Sequence, residues 1–245
     1  MSSPLVAVLL AGFAAGAAEA PAPDAHALLV RADAYRQPAE ALAVLTEVQV
    51  LKHGAPDKDR TYLVYVKPGR RSLVLARSAA EEGQKVLMVQ DDFWIVLPSS
   101  QRPIRITPAQ KLLGDASTGD VATLAWADDY DGAVAGEAEV EGVACHRLEL
   151  TARRRGATYQ RITLFLDRGD AHPVAADLYV ASERLAKRAT FEMGALEGQR
   201  AVVAMRIHDE IQPGRETIIR YRSRSPRVIA DEYYNPWFLT RHAPE

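Results

Sequence analysis

The chain has 245 residues with 30 Lys plus Arg against 32 Asp plus Glu, a formal net charge of −2, so no strong field of one sign exists to hold a nucleic-acid backbone or an anionic membrane surface. Nearly half of it, 48%, is apolar, enough for a sizeable core, and the length favours one domain over two. A single cysteine, Cys145, excludes an internal disulfide, and its alternating surroundings, Val143-Ala144-Cys145-His146-Arg147-Leu148, mark a small half-buried strand residue rather than a nucleophile.

In chain order, the first feature is the apolar, uncharged run Pro4 to Ala15, too short to span a bilayer and followed by the small-residue cluster Gly16 to Ala20. It reads as a signal peptide over residues 1–20 with cleavage near 18–20, although its start lacks a basic residue. No cysteine follows it to accept a lipid, so residues 21–245 are expected to form one soluble exported domain. After the linker Pro21-Ala22-Pro23, Asp24 can cap a helix through Leu28, Leu29, Ala32 and Tyr35 that ends at Pro38.

The period then changes from helical to alternating. Thr46 to His53, Thr61 to Lys67, Arg71 to Arg77, Lys85 to Gln90 and Phe93 to Leu97 are short, rich in β-branched residues and punctuated by turn residues, which predicts sequential hairpins. Ile104-Arg105-Ile106 is one more short strand. Two helical pieces, Pro108 to Leu113 and Asp120 to Ala127, interrupt the series. Strands resume at Val143 to Ala152, Thr158 to Asp167, Pro173 to Ala181, Ala186 to Glu192, Arg200 to Ile211 and Glu216 to Arg224. Within Arg200 to Ile211, Ala201, Val203, Met205, Ile207 and Ile211 fall on one face and Arg206, His208 and Glu210 on the other, the pattern of a sheet with one wet face. The aromatic segment Asp231 to Arg241 is expected to turn, form a short helix and plug one end of the sheet. So few helices cannot cover so broad an apolar face, and either a second sheet covers it or a cavity remains.

Chemistry-bearing motifs are scarce. There is no Gly-x-Ser-x-Gly elbow, and Ser99-Ser100 beside Pro98 reads as a turn. The six His residues are scattered without zinc spacing, and Asp128-Asp129-Tyr130-Asp131-Gly132 lacks the alternating ligands of a calcium loop, so it reads as a solvated turn. Arg153-Arg154-Arg155-Gly156 reads as a solvated hairpin tip that could meet an anionic head group. No phosphate loop or dinucleotide fingerprint occurs, so no cofactor, metal or catalytic residue is assigned and an enzyme is not expected.

The run Gly83-Gln84-Lys85-Val86-Leu87-Met88-Val89-Gln90-Asp91-Asp92-Phe93-Trp94-Ile95-Val96-Leu97-Pro98-Ser99 is followed by Arg102-Pro103-Ile104-Arg105-Ile106 and Leu112-Leu113-Gly114-Asp115-Ala116-Ser117. With Gly119-Asp120, Asp129-Tyr130, Gly142, Cys145, Leu148-Glu149-Leu150 and Tyr159, this ordered string resembles the LolA-like outer-membrane lipoprotein-sorting family over essentially the whole mature chain. The resemblance implies a periplasmic protein with a strongly curved antiparallel sheet, an incomplete β-barrel over short helices, whose concave apolar face holds acyl chains. It implies a carrier of lipoprotein acyl chains or free lipid between inner and outer membranes. It also implies a link to a lipid-exporting inner-membrane transporter, and no catalytic motif.

On that reading the cavity wall candidates are Val48, Val50, Leu63, Leu73, Leu75, Leu87, Trp94, Leu148, Leu150, Ile162, Leu164, Val174 and Leu178, with the inward parity of each strand left open because a one-residue slip inverts it. A monomer with no nucleic-acid partner is expected. Two other readings stay open: a lipid hydrolase using the same cavity, and an accessory module that docks on a membrane exporter and carries nothing.

Overall fold

The computed structural model describes residues 23–36, 40–106, 120, 125–154 and 157–244. The expected signal peptide, the helix Pro108 to Leu113, Pro38 and the Arg155-Gly156 tip lie outside them. Helix α1 spans Ala25–Arg36 and is entered as its sequence requires: the Asp24 carboxylate accepts the His26 N–H at 3.0 Å, and the Asp24 carbonyl accepts the Leu28 N–H at 3.0 Å. Its buried stripe is Leu28, Leu29, Ala32 and Asp33. No described helix is long and apolar enough to cross a membrane.

Thirteen antiparallel strands form one sheet. They are β1 Leu42–Lys52, β2 Ala55–Lys67, β3 Arg71–Ala76, β4 Lys85–Val89, β5 Asp92–Val96, β6 Ile104–Ile106, β7 Tyr130–Val140, β8 Val143–Ala152, β9 Arg161–Asp167, β10 Pro173–Tyr179, β11 Leu185–Leu196, β12 Gln199–Asp209 and β13 Arg215–Pro226. The order is β6-β5-β4-β3-β2-β1-β13-β12-β11-β10-β9-β8-β7, two meanders joined where β1 pairs with β13. Tight hairpins follow from turn chemistry. Glu141-Gly142 between β7 and β8 has φ 51° and 81°, and Glu197-Gly198 between β11 and β12 has 51° and 76°, the left-handed pair that matches strand twist.

The sheet is open, with β6 and β7 as its edges, and it curls. β5 and β9 are nine inter-strand steps apart, about 43 Å if the sheet were flat. Yet Phe93 of β5 and Ile162 of β9 belong to one packed cluster with Leu28 and Leu29 of α1 and Met205 of β12. This is the concave core, and it runs through Val44, Val48, Val64, Val74, Val86, Leu148, Leu164 and Ile219.

The opposite face of β2 to β5 carries a second core. Tyr65, Leu73, Leu75, Leu87 and Val96 are covered there by Ile229, Tyr234 and Leu239 of the C-terminal segment, which contains two 3₁₀ turns, Asp231–Tyr234 and Phe238–Thr240. Lys85 Nζ donates to the Leu239 carbonyl at 2.7 Å, and Lys67 and Arg71 both pair with Asp231. The tail therefore covers an outer face instead of plugging an end.

Three local expectations are corrected. Residues 128–132 are a solvated turn only in part: Asp128, Asp131 and Gly132 are exposed, but Asp129 is 8% and Tyr130 7% exposed, and β7 starts at Tyr130. That strand went unread because it is an edge of mostly exposed Ala, Gly and Glu with no apolar alternation. Ala125 to Ala127 are not helical, because the Trp126 and Ala127 N–H groups both donate to Asp33 Oδ2, at 2.7 and 2.8 Å, instead of to helical carbonyls. Asp120 is helical, and 121–124 lie outside the described residues. The single-face reading of β12 fails at Val203. Phe191 pairs with Met205 but Met193 with Val202, so a bulge flips parity, and Val202, Met205 and Ile207 are all buried.

Candidate functional site

At the C-terminal end of α1, where Arg36 lies, the concave core is incompletely filled. A hollow of about 60 Å³ is lined by Phe93, Ala125, Trp126, Tyr130, Ala157, Ile162, Leu178, Ala189, Phe191 and Met205 on its apolar side and by Arg36, Arg70, Asp120, Asp129, Thr158 and Tyr159 on its polar side. A smaller void of about 20 Å³ lies between Val44, Thr46, Val64, Val66, Leu196, Val202 and Tyr221, and Arg36 lines both. The larger groove, about 470 Å³, is elsewhere, between the β1–β2 and β12–β13 turns, and its walls include His53, Arg188, His208, Asp209, Glu210 and Glu216. Unlike the hollow, that groove has no apolar side beyond Pro213 and does not suit an acyl chain.

The polar side of the hollow is a set of buried ion pairs. Lys187 Nζ donates to Asp120 Oδ2 at 2.6 Å, with side chains 6% and 3% exposed, and Tyr159 Oη donates to Asp120 Oδ1 at 2.6 Å. Tyr130 Oη donates to the Tyr159 carbonyl at 3.0 Å, and burial pushes the Tyr130 phenol well up. Arg36 ends α1 with its guanidinium 3.8 Å from the centroid of Trp126, which meets Phe191 edge-on at 5.7 Å. Burial lowers the Arg36 pKa, and Asp33, 3.9 Å away, opposes that shift. Asp33 itself is pushed up to about 6 by burial, against the pull of Arg36 and of two backbone N–H groups.

Arg70 closes the rim. It sits in the β2–β3 turn at φ 58° and pairs with Asp129, just before β7, and with Asp91 at 3.2 Å. Burial lowers its pKa, and Asp91 counters. Arg154 reaches Asp91 at 3.8 Å and Arg153 reaches Asp131 at 2.8 Å, and both side chains remain exposed to solvent, as expected of a solvated tip.

The predicted wall residues divide between the two cores. Val48, Leu148, Leu150, Ile162, Leu164 and Leu178 are in the concave cluster, and of these Ile162 and Leu178 line the hollow. Leu73, Leu75 and Leu87 are in the outer cluster, with Leu63 and Trp94 packed against it, so these five point away from the hollow. Val50 and Val174 are buried outside both clusters. The inward residues of β2 to β5 are instead Val64, Val66, Val74, Val86, Met88 and Phe93. Sequence reading passed over Arg36, Trp126, Lys187 and Phe191, and it put Met205 on an apolar face without naming it as a wall residue. The available signals were ionic groups at inward positions: Asp33 and Arg36 continue the Leu29-Ala32 stripe, and Lys187 alternates with Ala189 and Phe191.

A possible cation site also exists on paper. Asp167, Asp170 and His172 bring ligand atoms within 4.8 Å of one another. However, Asp167 Oδ1 already accepts the Gly169 and Asp170 N–H groups, and Arg200 pairs with Asp170, so the cluster is accounted for as a charged turn after β9.

A family model described as "Uncharacterized protein" matches residues 69–241. No curated protein matches the chain. Among solved structures, a LolA superfamily protein from Nitrosomonas europaea is 26% identical, with a TM-score of 0.79 over 87% of this chain and 98% of that one. A DUF1329 family protein from Desulfovibrio piger is 25% identical, with a TM-score of 0.69 over 86% and 95%. An outer membrane lipoprotein-sorting protein domain from Vibrio parahaemolyticus, at 15% identity, shares the fold with a TM-score of 0.71 over 89% and 98%. Its fold is LolA-like, and the chain belongs to the family whose model spans residues 69–241.

Proposed function

We propose that this protein is a periplasmic carrier that holds the acyl chains of a lipid or lipoprotein in its concave core and moves them between the inner and outer membranes. It is exported by residues 1–20, acts as a monomer through the single domain 21–245, and is loaded by a lipid-exporting inner-membrane transporter. The observation that carries the reading is the underfilled, aromatic-lined hollow at the C-terminal end of α1, within the concave core of the curled sheet. Each methylene moved from water into such a core contributes about 0.8 kcal/mol, so a dry apolar wall supplies affinity without a charged anchor. The likeness to LolA superfamily and lipoprotein-sorting structures supports the same reading.

A volume of about 60 Å³ is smaller than an acyl chain, so loading requires the cover to shift. Helix α1 rests on that core through Leu28, Leu29 and Ala32, and displacing it would open the hollow. The test is purification of the mature protein from the cell envelope followed by organic-solvent extraction and mass spectrometry. Acyl lipid at near one equivalent is expected. Lipid-free protein that also takes up none from vesicles would overturn the proposal.

A further inference from the structure

Among the described residues, two buried polar atoms at the hollow have no hydrogen-bond partner: Thr158 Oγ1 and Arg70 Nε. Thr158 is 9% exposed and the Arg70 side chain 10% exposed, so neither atom is served by bulk water. The other nitrogens of Arg70 are occupied, one by Asp129 and one by Asp91 and the Gln90 carbonyl. An unmade hydrogen bond in such a place costs more than a made one contributes, and both orphan atoms belong to residues that line one cavity. Arg70 Nε can only donate, and a threonine hydroxyl can donate, so the complementary ligand atom is an acceptor oxygen.

The charges around the hollow decide what kind of oxygen. Arg70 is paired with Asp129 and Asp91, Lys187 with Asp120, and Arg36 lies beside Asp33. Every cation at the wall already faces a carboxylate, and Asp120 and Asp129 themselves line the space. A further full negative charge would enter beside two carboxylates with no unneutralised cation among the described residues to meet it.

Resting on the carrier reading above, we infer that Thr158 and Arg70 form a polar subsite for the neutral carbonyl oxygen of an ester or amide-linked acyl group, with the chain running on into the Phe93, Phe191 and Met205 side. The protein thereby distinguishes acyl esters and amides from free fatty acids.

The test is competition against a neutral apolar dye, N-phenyl-1-naphthylamine, by decane, methyl decanoate and decanoate, on the wild type and on Thr158→Val, Thr158→Ser and Arg70→Lys. Thr158→Val keeps the shape and removes the hydroxyl. It should weaken methyl decanoate about three- to tenfold and change decane by less than about twofold. Thr158→Ser should bind both as the wild type does. Arg70→Lys keeps a cation for Asp129 but has no Nε, and it should repeat the selective loss. Equal effects on ester and alkane, or no effect on the ester, would overturn the subsite. Decanoate binding tighter than its methyl ester would overturn the neutral-carbonyl assignment. Failure of the carrier reading looks different: none of the three compounds would displace dye from the wild type, which would remove both.

Discussion

Lys187 and Asp120 are joined at 2.6 Å although each side chain is almost wholly buried, and they hold the helical residue at 120 against strand β11 across the concave core. Two desolvated charges gain little net stability as a pair, but removing one strands the other. Lys187→Met should therefore destabilise the fold by about 3–5 kcal/mol in urea unfolding. Adding Asp120→Leu should recover only part of that, because the Tyr159 hydroxyl then loses its acceptor.

Asp33 makes stability depend on pH with an unusual sign. Its carboxyl is raised from 3.8 to about 6 in the folded chain, so between those values the folded state binds more protons than the unfolded one. This contribution is fully present below about pH 4 and is lost as pH rises through about 6, amounting to roughly 3 kcal/mol over that window. Unfolding free energies measured in urea from pH 4 to 7 should show a falling component that Asp33→Asn removes. An unchanged slope in the variant would refute the assignment.

Gly132 of β7 lies against the first turns of α1. A methyl group there would meet Leu150 Cδ2 at 2.9 Å, Leu29 Cδ1 at 3.2 Å and Ala25 Cβ at 3.7 Å. Gly132→Val should push the helix outward and cost about 1–3 kcal/mol, with faster proteolysis near α1. Gly132→Ala should cost less, since leucine methyls can rotate away.

Filling the hollow separates binding from folding. Ala189 is 2% exposed and lines the space, so Ala189→Leu places new methyl groups where about 60 Å³ stands open. The melting temperature should change little, while copurified acyl lipid, read by mass spectrometry, should fall several-fold. Retained lipid would place the cargo elsewhere.

The outer core predicts a contrast within three residues of the tail. Leu239 is fully buried and Trp237 is 61% exposed. Leu239→Ala should cost about 2–5 kcal/mol, whereas Trp237→Ala should stay within about 0.5 kcal/mol. Denaturant midpoints of the two variants check both.

Much of this protein is legible in its sequence because local physics speaks there. The capped start of α1 at Asp24 and the alternation of strands such as β8 and β13 each depend on residues a few positions apart. What only the tertiary structure decided is the side to which each alternating set points. Strand period is two, so Leu73, Leu75 and Leu87 look as much like cavity wall as Val74, Val86 and Met88 do. The choice was made by a tail more than a hundred residues later that covers one face and leaves the other to α1. The bulge at Val203 repeats the lesson inside one strand. The ionic side of the hollow was equally unreadable, because a lysine or aspartate in a chain carries no sign of burial until its partner arrives, as Lys187 does for Asp120 from 67 positions away.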